Sequence, residues 1–168
     1  MLARRSGKHP PELTIEADQQ FFESKLDEAD LIVHGRNSHE GQRNSPRRRR
    51  VIATRKVAGN APDPDNSNAA LWNPAGACIE DAAAQLGVRS GLVCVIGGTE
   101  LFDLFLDRYD VFWLSVAQRV RFGGGVPVFA GVPQTDVHDV LSRHGMTAAE
   151  RRVIDVANDV VLIKWTRR

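Results

Sequence analysis

The chain has 168 residues, 42% of them hydrophobic and 26% charged, with a formal net charge of +1. That balance suits one globular domain able to bury roughly 70% of its unfolded surface, and a near-neutral charge is no argument for a nucleic-acid or membrane partner. No apolar run approaches the roughly 18 residues of a membrane span, and the basic start MLARRSGKHPPEL lacks the apolar core of a secretory signal.

Residues 1–14 read as a poorly defined N-terminal segment, and 15–168 as one domain without internal repeats. Thr14 can cap a helix starting near Ile15, with Glu16 in its first turn and Ile15, Phe22, Leu26 and Ala29 on one face. Leu31 to His34 is a short strand ending at Gly35, and Val51 to Thr54 a second. Gly59 to Asn68, rich in Pro, Asp and Asn, reads as a surface loop. A helix from about Ala77 to Leu86 is closed by Gly87. Leu92 to Ile96 is continuously apolar, as a strand buried on both faces would be, and Cys94 within it acts as a small hydrophobe. A helix over Thr99 to Leu106 and a strand over Val111 to Val116 follow. Val137 to Leu141, the region Arg152 to Val156, and Val160 to Trp165 read as a late antiparallel set. The order implies an α/β three-layer sandwich: a mostly parallel central sheet, helices on both faces and an antiparallel C-terminal edge.

The sharpest chemical feature is Val95-Ile96-Gly97-Gly98-Thr99-Glu100-Leu101-Phe102. A strand ends in two glycines and a helix begins at once, so the backbone can come close to a ligand and the first helical N–H groups can face a phosphate. A plain tight turn explains the same pattern equally well. Gly35-Arg36-Asn37-Ser38-His39-Glu40 also follows a strand directly, with a cation at Arg36 and a hydroxyl at Ser38. Thr54-Arg55-Lys56 ends the next strand with a hydroxyl and two cations. In a parallel sheet the carboxyl ends of strands share one edge, so the three groups can converge on one polyanionic ligand.

Leu31-Ile32-Val33-His34-Gly35-Arg36-Asn37-Ser38, Arg50-Val51-Ile52-Ala53-Thr54-Arg55 and the Gly97-Gly98 block resemble, in order and spacing, the dihydrofolate reductase superfamily, which includes the reductases of riboflavin biosynthesis. The resemblance runs from about Ile15 to the C-terminus. It implies NADPH as cofactor. Arg36, Asn37 and Ser38, after Gly35, would lie along the pyrophosphate and adenosine side, and Thr54, Arg55 and Lys56 would hold the 2′-phosphate. Ile96, Gly97, Gly98, Thr99, Glu100 and Leu101 would form the second phosphate-binding turn. The tail Phe122-Gly123-Gly124-Gly125-Val126-Pro127-Val128-Phe129 looks more like the riboflavin-type reductases, some of which are homodimers. The implied activity is hydride transfer to a small heterocycle, either a ribosylaminopyrimidine or a pterin.

Asp18 is the candidate proton donor. It lies four residues before Phe22, so it shares the apolar face, where a partly desolvated carboxylate is suited to hold a proton. In the first turn of a helix it can equally serve only the dipole. By resemblance, Phe22 and Ser115 would help seat the substrate; Arg47 to Arg50 reads as a solvated loop whose members, Arg48 among them, face a phosphate or a substrate carboxylate.

The family opens with an apolar strand in the middle of its sheet, and nothing before Ile15 reads as one. Either the frame starts upstream of Met1 or the sheet closes differently, so a nucleotide-binding relic without turnover stays open. A basic nucleic-acid module is the third option, resting on Arg47 to Arg50, but no aromatic residue interleaves with that run. Ser6 to His9 lacks the first glycine and preceding strand of a nucleotide loop. His34 and His39 have no third ligand at metal spacing, and Trp72, Trp113 and Trp165 read as packing residues. With two cysteines, Cys78 and Cys94, and no framework, the cytoplasm is the default compartment.

Overall fold

The computed structural model describes residues 13–38, 41–120 and 124–167; Ser6 to His9, His39, Glu40, Phe122 and Gly123, singled out above, lie outside them. The chain groups into two compact units, Glu23–Leu101 and the segments on either side of it.

Glu23–Leu101 is built on a five-stranded sheet in the order β3-β4-β2-β1-β5. Its strands are β1 Leu31–Gly35, β2 Arg50–Ala53, β3 Asn60–Pro62, β4 Ala69–Trp72 and β5 Val93–Val95. β1 pairs in parallel with β2 and β5, β2 in parallel with β4, and β3 antiparallel with β4. Leu31, Ile32, Val33 and Val51 are each 1% exposed or less, as strands covered on both faces require. The register sets Ile32, Arg50, Ala69 and Cys94 on one face and Val33, Val51, Ala70 and Val95 on the other. Helix α1 (Glu16–Glu28) meets the first face, where the Cys94 thiol lies 3.5 Å from the Lys25 carbonyl. On the other face Trp72 donates its indole N–H to the Ala77 carbonyl (2.9 Å), just ahead of helix α2 (Ile79–Gln85), whose Ile79, Ala82 and Ala83 are buried.

Two expectations change here. Gly59 to Asn68 is not all loop, since Asn60–Pro62 forms the edge strand β3 and side-chain turns at Asp63 and Asn66 lead into β4. Pro62 is tolerated because an edge strand leaves one row of N–H positions without ladder bonds. The apolar run Leu92–Ile96 is not covered on both sides: β5 is the edge of the sheet, with Leu92 47% and Val93 45% exposed. Among the described residues no strand pairs with its outer side. An apolar edge of this kind is a template for further strand pairing.

The other unit carries an antiparallel sheet in the order β6-β8-β7, with β6 Val111–Ala117, β7 Met146–Asp155 and β8 Val160–Arg167. The middle strand supplies the core, with Val160, Val161 and Leu162 each 1% exposed. Trp113 and Lys164 share one face, where the Phe21 ring meets Trp113 edge-on at 5.0 Å and the Arg152 guanidinium lies over both rings. Phe112, of the opposite face, joins an aromatic cluster with Phe102, Tyr109 and Phe129. Burial pushes the Tyr109 phenol far up, so it stays neutral.

Val137 to Leu141 is not a strand. It opens helix α4 (Val137–Arg143), whose cap is Asp136, accepting from the His138 N–H at 2.8 Å. Val137, Val140 and Leu141 have the i, i+3, i+4 spacing of a helix face, and the two polar residues between Val137 and Val140 break the period of two that a strand needs. Arg167 closes the region by donating to the carbonyls of Leu106, Tyr109 and His144. Smaller shifts occur elsewhere: the Gln19 N–H bonds to the Ile15 carbonyl, so α1 starts one residue later than a Thr14 cap implies. Helix α3 spans Thr99–Leu104 and stops short of Leu106.

Candidate functional site

Strand β1 has β2 on one flank and β5 on the other. The chain leaves β1 for β2 and β4, then returns through α2 to β5 on the opposite side. Where strand order reverses, the connections at the carboxyl ends diverge and leave a crevice, the usual ligand position of an open α/β sheet. The residues that follow the two strands at this point are Arg36-Asn37-Ser38 and Ile96-Gly97-Gly98-Thr99.

The two turns lock onto each other through the backbone. The Ile96 N–H donates to the Val33 carbonyl at 2.9 Å and the Gly35 N–H to the Gly97 carbonyl at 2.7 Å, extending the β1–β5 pairing past the end of β5. The Ser38 N–H returns to the Gly35 carbonyl at 2.9 Å. A Cβ placed on Gly98 would lie 3.4 Å from the Ser38 hydroxyl, and one on Gly35 would lie 3.6 Å from the Gly98 nitrogen. Gly97 has φ +102°, a conformation that a side chain makes costly, and the Gly97–Gly98 peptide is cis. The Leu101 N–H then bonds to the Gly98 carbonyl and opens α3.

The third strand end lies in the same unit. The Thr54 N–H bonds to the Trp72 carbonyl, and its hydroxyl accepts from the Lys56 N–H at 3.2 Å. Arg55 reaches Glu100 at 3.2 Å, with the two side chains 86% and 88% exposed. A pair so open to water contributes little, which leaves the Arg55 guanidinium available to a stronger anion. Arg36, Asn37 and Lys56 are exposed. The turn after β5 thus contacts both other groups, through Gly98 against Ser38 and Glu100 against Arg55.

Asp18, Phe22 and Ser115 belong to the other unit, with Asp18 and Phe22 half-buried on α1 and Ser115 exposed on β6. Ser115 alternates with Trp113 along the strand and so shares its face. Arg48 is buried, and its guanidinium is 2.6 Å from Asp27. Arg50, also buried, donates to the Ser45 hydroxyl and carbonyl. The arginine run therefore divides by alternation: Arg48 and Arg50 turn inward, while Arg43, Arg47 and Arg49 are exposed. Nothing in the spacing of the sequence links Asp27 to Arg48, and their pairing emerges only in the fold.

Hydrogen bonds from Arg48, and then from Asn44, hold the Asp27 carboxyl below its ordinary range. A carboxylate lowered in the folded state adds stability above its unfolded pKa of about 3.9, and that stability disappears as pH falls through the folded value. Urea unfolding of Asp27→Asn should show a lower midpoint than the native chain at pH 7, with the gap closing in strong acid. A gap independent of pH would remove the ion pair from the account.

No protein-family model and no curated protein matches the chain. Solved structures do. A dihydrofolate reductase from Enterococcus faecalis, complexed with NADP(H) and RAB-propyl, superposes with a TM-score of 0.61 over 98% of this chain and 88% of its own, at 16% identity. A diaminohydroxyphosphoribosylaminopyrimidine deaminase/5-amino-6-(5-phosphoribosylamino)uracil reductase from Thermotoga maritima gives 0.59 at 18% identity. There 99% of this chain is covered but 53% of the other, so the chain spans about half the length of that protein. Among the described residues no helix is long and apolar enough to cross a membrane. The likenesses to these two solved structures show the fold: the chain has a dihydrofolate reductase-like fold.

Proposed function

We propose that this chain is an NADPH-dependent reductase acting on a small heterocyclic substrate. The observation that carries the reading is the meeting of the Gly35–Ser38 and Gly97–Thr99 turns at the switch point of the parallel sheet. Backbone that approaches this closely, beside the exposed cations Arg36, Arg55 and Lys56, suits a pyrophosphate. Support for the identity of the ligand comes from the Enterococcus faecalis enzyme, which was solved with NADP(H).

In this reading Arg36, Asn37 and Ser38 line the pyrophosphate, and Ile96 to Leu101 supply the second phosphate-binding turn. Thr54, Arg55 and Lys56 hold the 2′-phosphate, the physical reason to favour NADPH over NADH. When bound, the nicotinamide supplies the hydride, and the protein contributes binding, orientation and electrostatics. The resemblance assigns the proton donor's role to Asp18 and the seating of the ring to Phe22 and Ser115. Arg48 would face the anionic group of the substrate, with its guanidinium already held by Asp27 at 2.6 Å. The ribosylaminopyrimidine class is favoured over a pterin by the Gly123-Gly124-Gly125 tail and by the uracil reductase activity named for the Thermotoga maritima protein.

Calorimetric titration with NADPH and NADH tests the cofactor. Arg55→Ala is expected to weaken NADPH by roughly tenfold, the value of one charge-assisted hydrogen bond, and to leave NADH unchanged. Equal loss for both nucleotides would take Arg55 away from the 2′-phosphate; a folded chain that binds neither would end the reading. One observation favours a second reading, a nucleotide-binding protein without turnover: the outer side of β5 has no partner strand among the described residues. NADPH oxidation with a reducible pyrimidine separates the two.

A further inference from the structure

The unit that carries the antiparallel sheet has a groove the reductase reading does not use. Two adjoining cavities of about 480 and 240 Å³ lie on one face of that sheet and share His138, Arg151 and Ile163. Val161, Ile163 and Trp165 alternate along β8 and form the apolar floor, continued by Val116 of β6 in register with Val161. The His138 ring lies over Trp165 with centroids 5.5 Å apart and planes tilted by 30°.

Two polar groups in this groove lack partners. Trp165 is 5% exposed, and its indole N–H has no acceptor among the described residues. Arg151 lines both cavities, is exposed, and has no carboxylate partner among the described residues. Glu150 borders the rim but pairs in register with Lys164, whose ammonium lies over Trp113 on the opposite face. Ala149 is the extra residue of a bulge between Ala148 and Glu150, a device that re-aims neighbouring side chains.

We infer that this groove is a binding site for a small planar aromatic carboxylate. A flat ring fits against Ile163 beside the His138–Trp165 pair, and the carboxylate matches the fork of the Arg151 guanidinium. An acceptor atom brought against Trp165 would satisfy an indole N–H that has no acceptor among the described residues. The volume of the larger cavity lies within the range of small-molecule sites. Every residue used belongs to the unit outside Glu23–Leu101, so the inference does not depend on the nucleotide site.

The test follows the indole N–H signals of the three tryptophans in the ¹⁵N-labelled full chain, without nucleotide, during titration with 2-naphthoate. A saturable shift of the Trp165 signal is expected, with Trp72, already bonded to Ala77, and Trp113 unmoved. The neutral analogue 2-naphthylmethanol should bind about tenfold more weakly, and Arg151→Gln should weaken naphthoate by about tenfold and erase that preference. Arg151 is exposed, so the variant should retain the native spectrum before titration. No saturable shift, equal shifts of all three indoles, or an Arg151→Gln chain that binds naphthoate like the native one would each overturn the inference.

Discussion

Replacing Gly97 by Val is expected to weaken NADPH binding by about 5- to 150-fold while the chain remains folded. Gly97 has φ +102°, and holding a side chain there costs on the order of 1–3 kcal/mol. The backbone can relieve that cost by turning, but its carbonyl accepts the 2.7 Å bond from Gly35 that sets the two turns in register. Relief therefore parts the turns, and the proposed phosphate-binding surface goes with them. Gly41→Ala is the control: a Cβ there meets nothing within 4 Å, so less than about a twofold change is expected. Circular dichroism and a urea melt establish that Gly97→Val is folded. A folded Gly97→Val chain that binds NADPH like the native one would remove the ligand from the switch point.

The largest stability effect is expected in the other unit, at Phe129. Its side chain is 0% exposed, and its ring lies 5.4 Å from Phe112 and 6.3 Å from Phe102. Phe129→Ala removes both contacts and leaves a cavity that such a cluster of rigid rings fills poorly. The expected loss is about 3–5 kcal/mol, read from urea unfolding at constant m-value. Phe129→Leu, which keeps most of the volume, should lose clearly less. A loss below about 1 kcal/mol for the alanine variant would mean that the aromatic cluster is not the core of this unit.

How far the sequence reached depended on whether a signal was local. The strand-end glycines were legible because the whole signal lies within a few residues: an apolar run, two residues without Cβ, then helix formers. β1, β2, β6 and β8 were legible from runs of β-branched, aromatic and other apolar residues, and α2 from the Gly87 that closes it. β3 and β4 were not, since Pro62, Ala69 and Ala70 carry little strand propensity and are ordered by pairing with each other and with β2. Helix α4 was misread as a strand because it is only seven residues long and lies between strands, although Asp136 and Gly145 mark its two ends.

What stayed hidden was relational. Leu92–Ile96 has the composition of an interior strand, and only the strand order shows that it stands at an edge. Arg47 to Arg50 reads as one uniform charge run until the fold turns Arg48 and Arg50 inward onto Asp27 and Ser45. The groove at His138, Arg151 and Trp165 joins a helix start to two strands, and no spacing rule connects them.

Backbone amide shifts during an NADPH titration test the central claim most directly. The account predicts saturable shifts concentrated at Gly35–Ser38, Thr54–Lys56 and Gly97–Glu100, the three strand ends of one sheet. Saturable shifts located elsewhere, with those three segments unchanged, would contradict it.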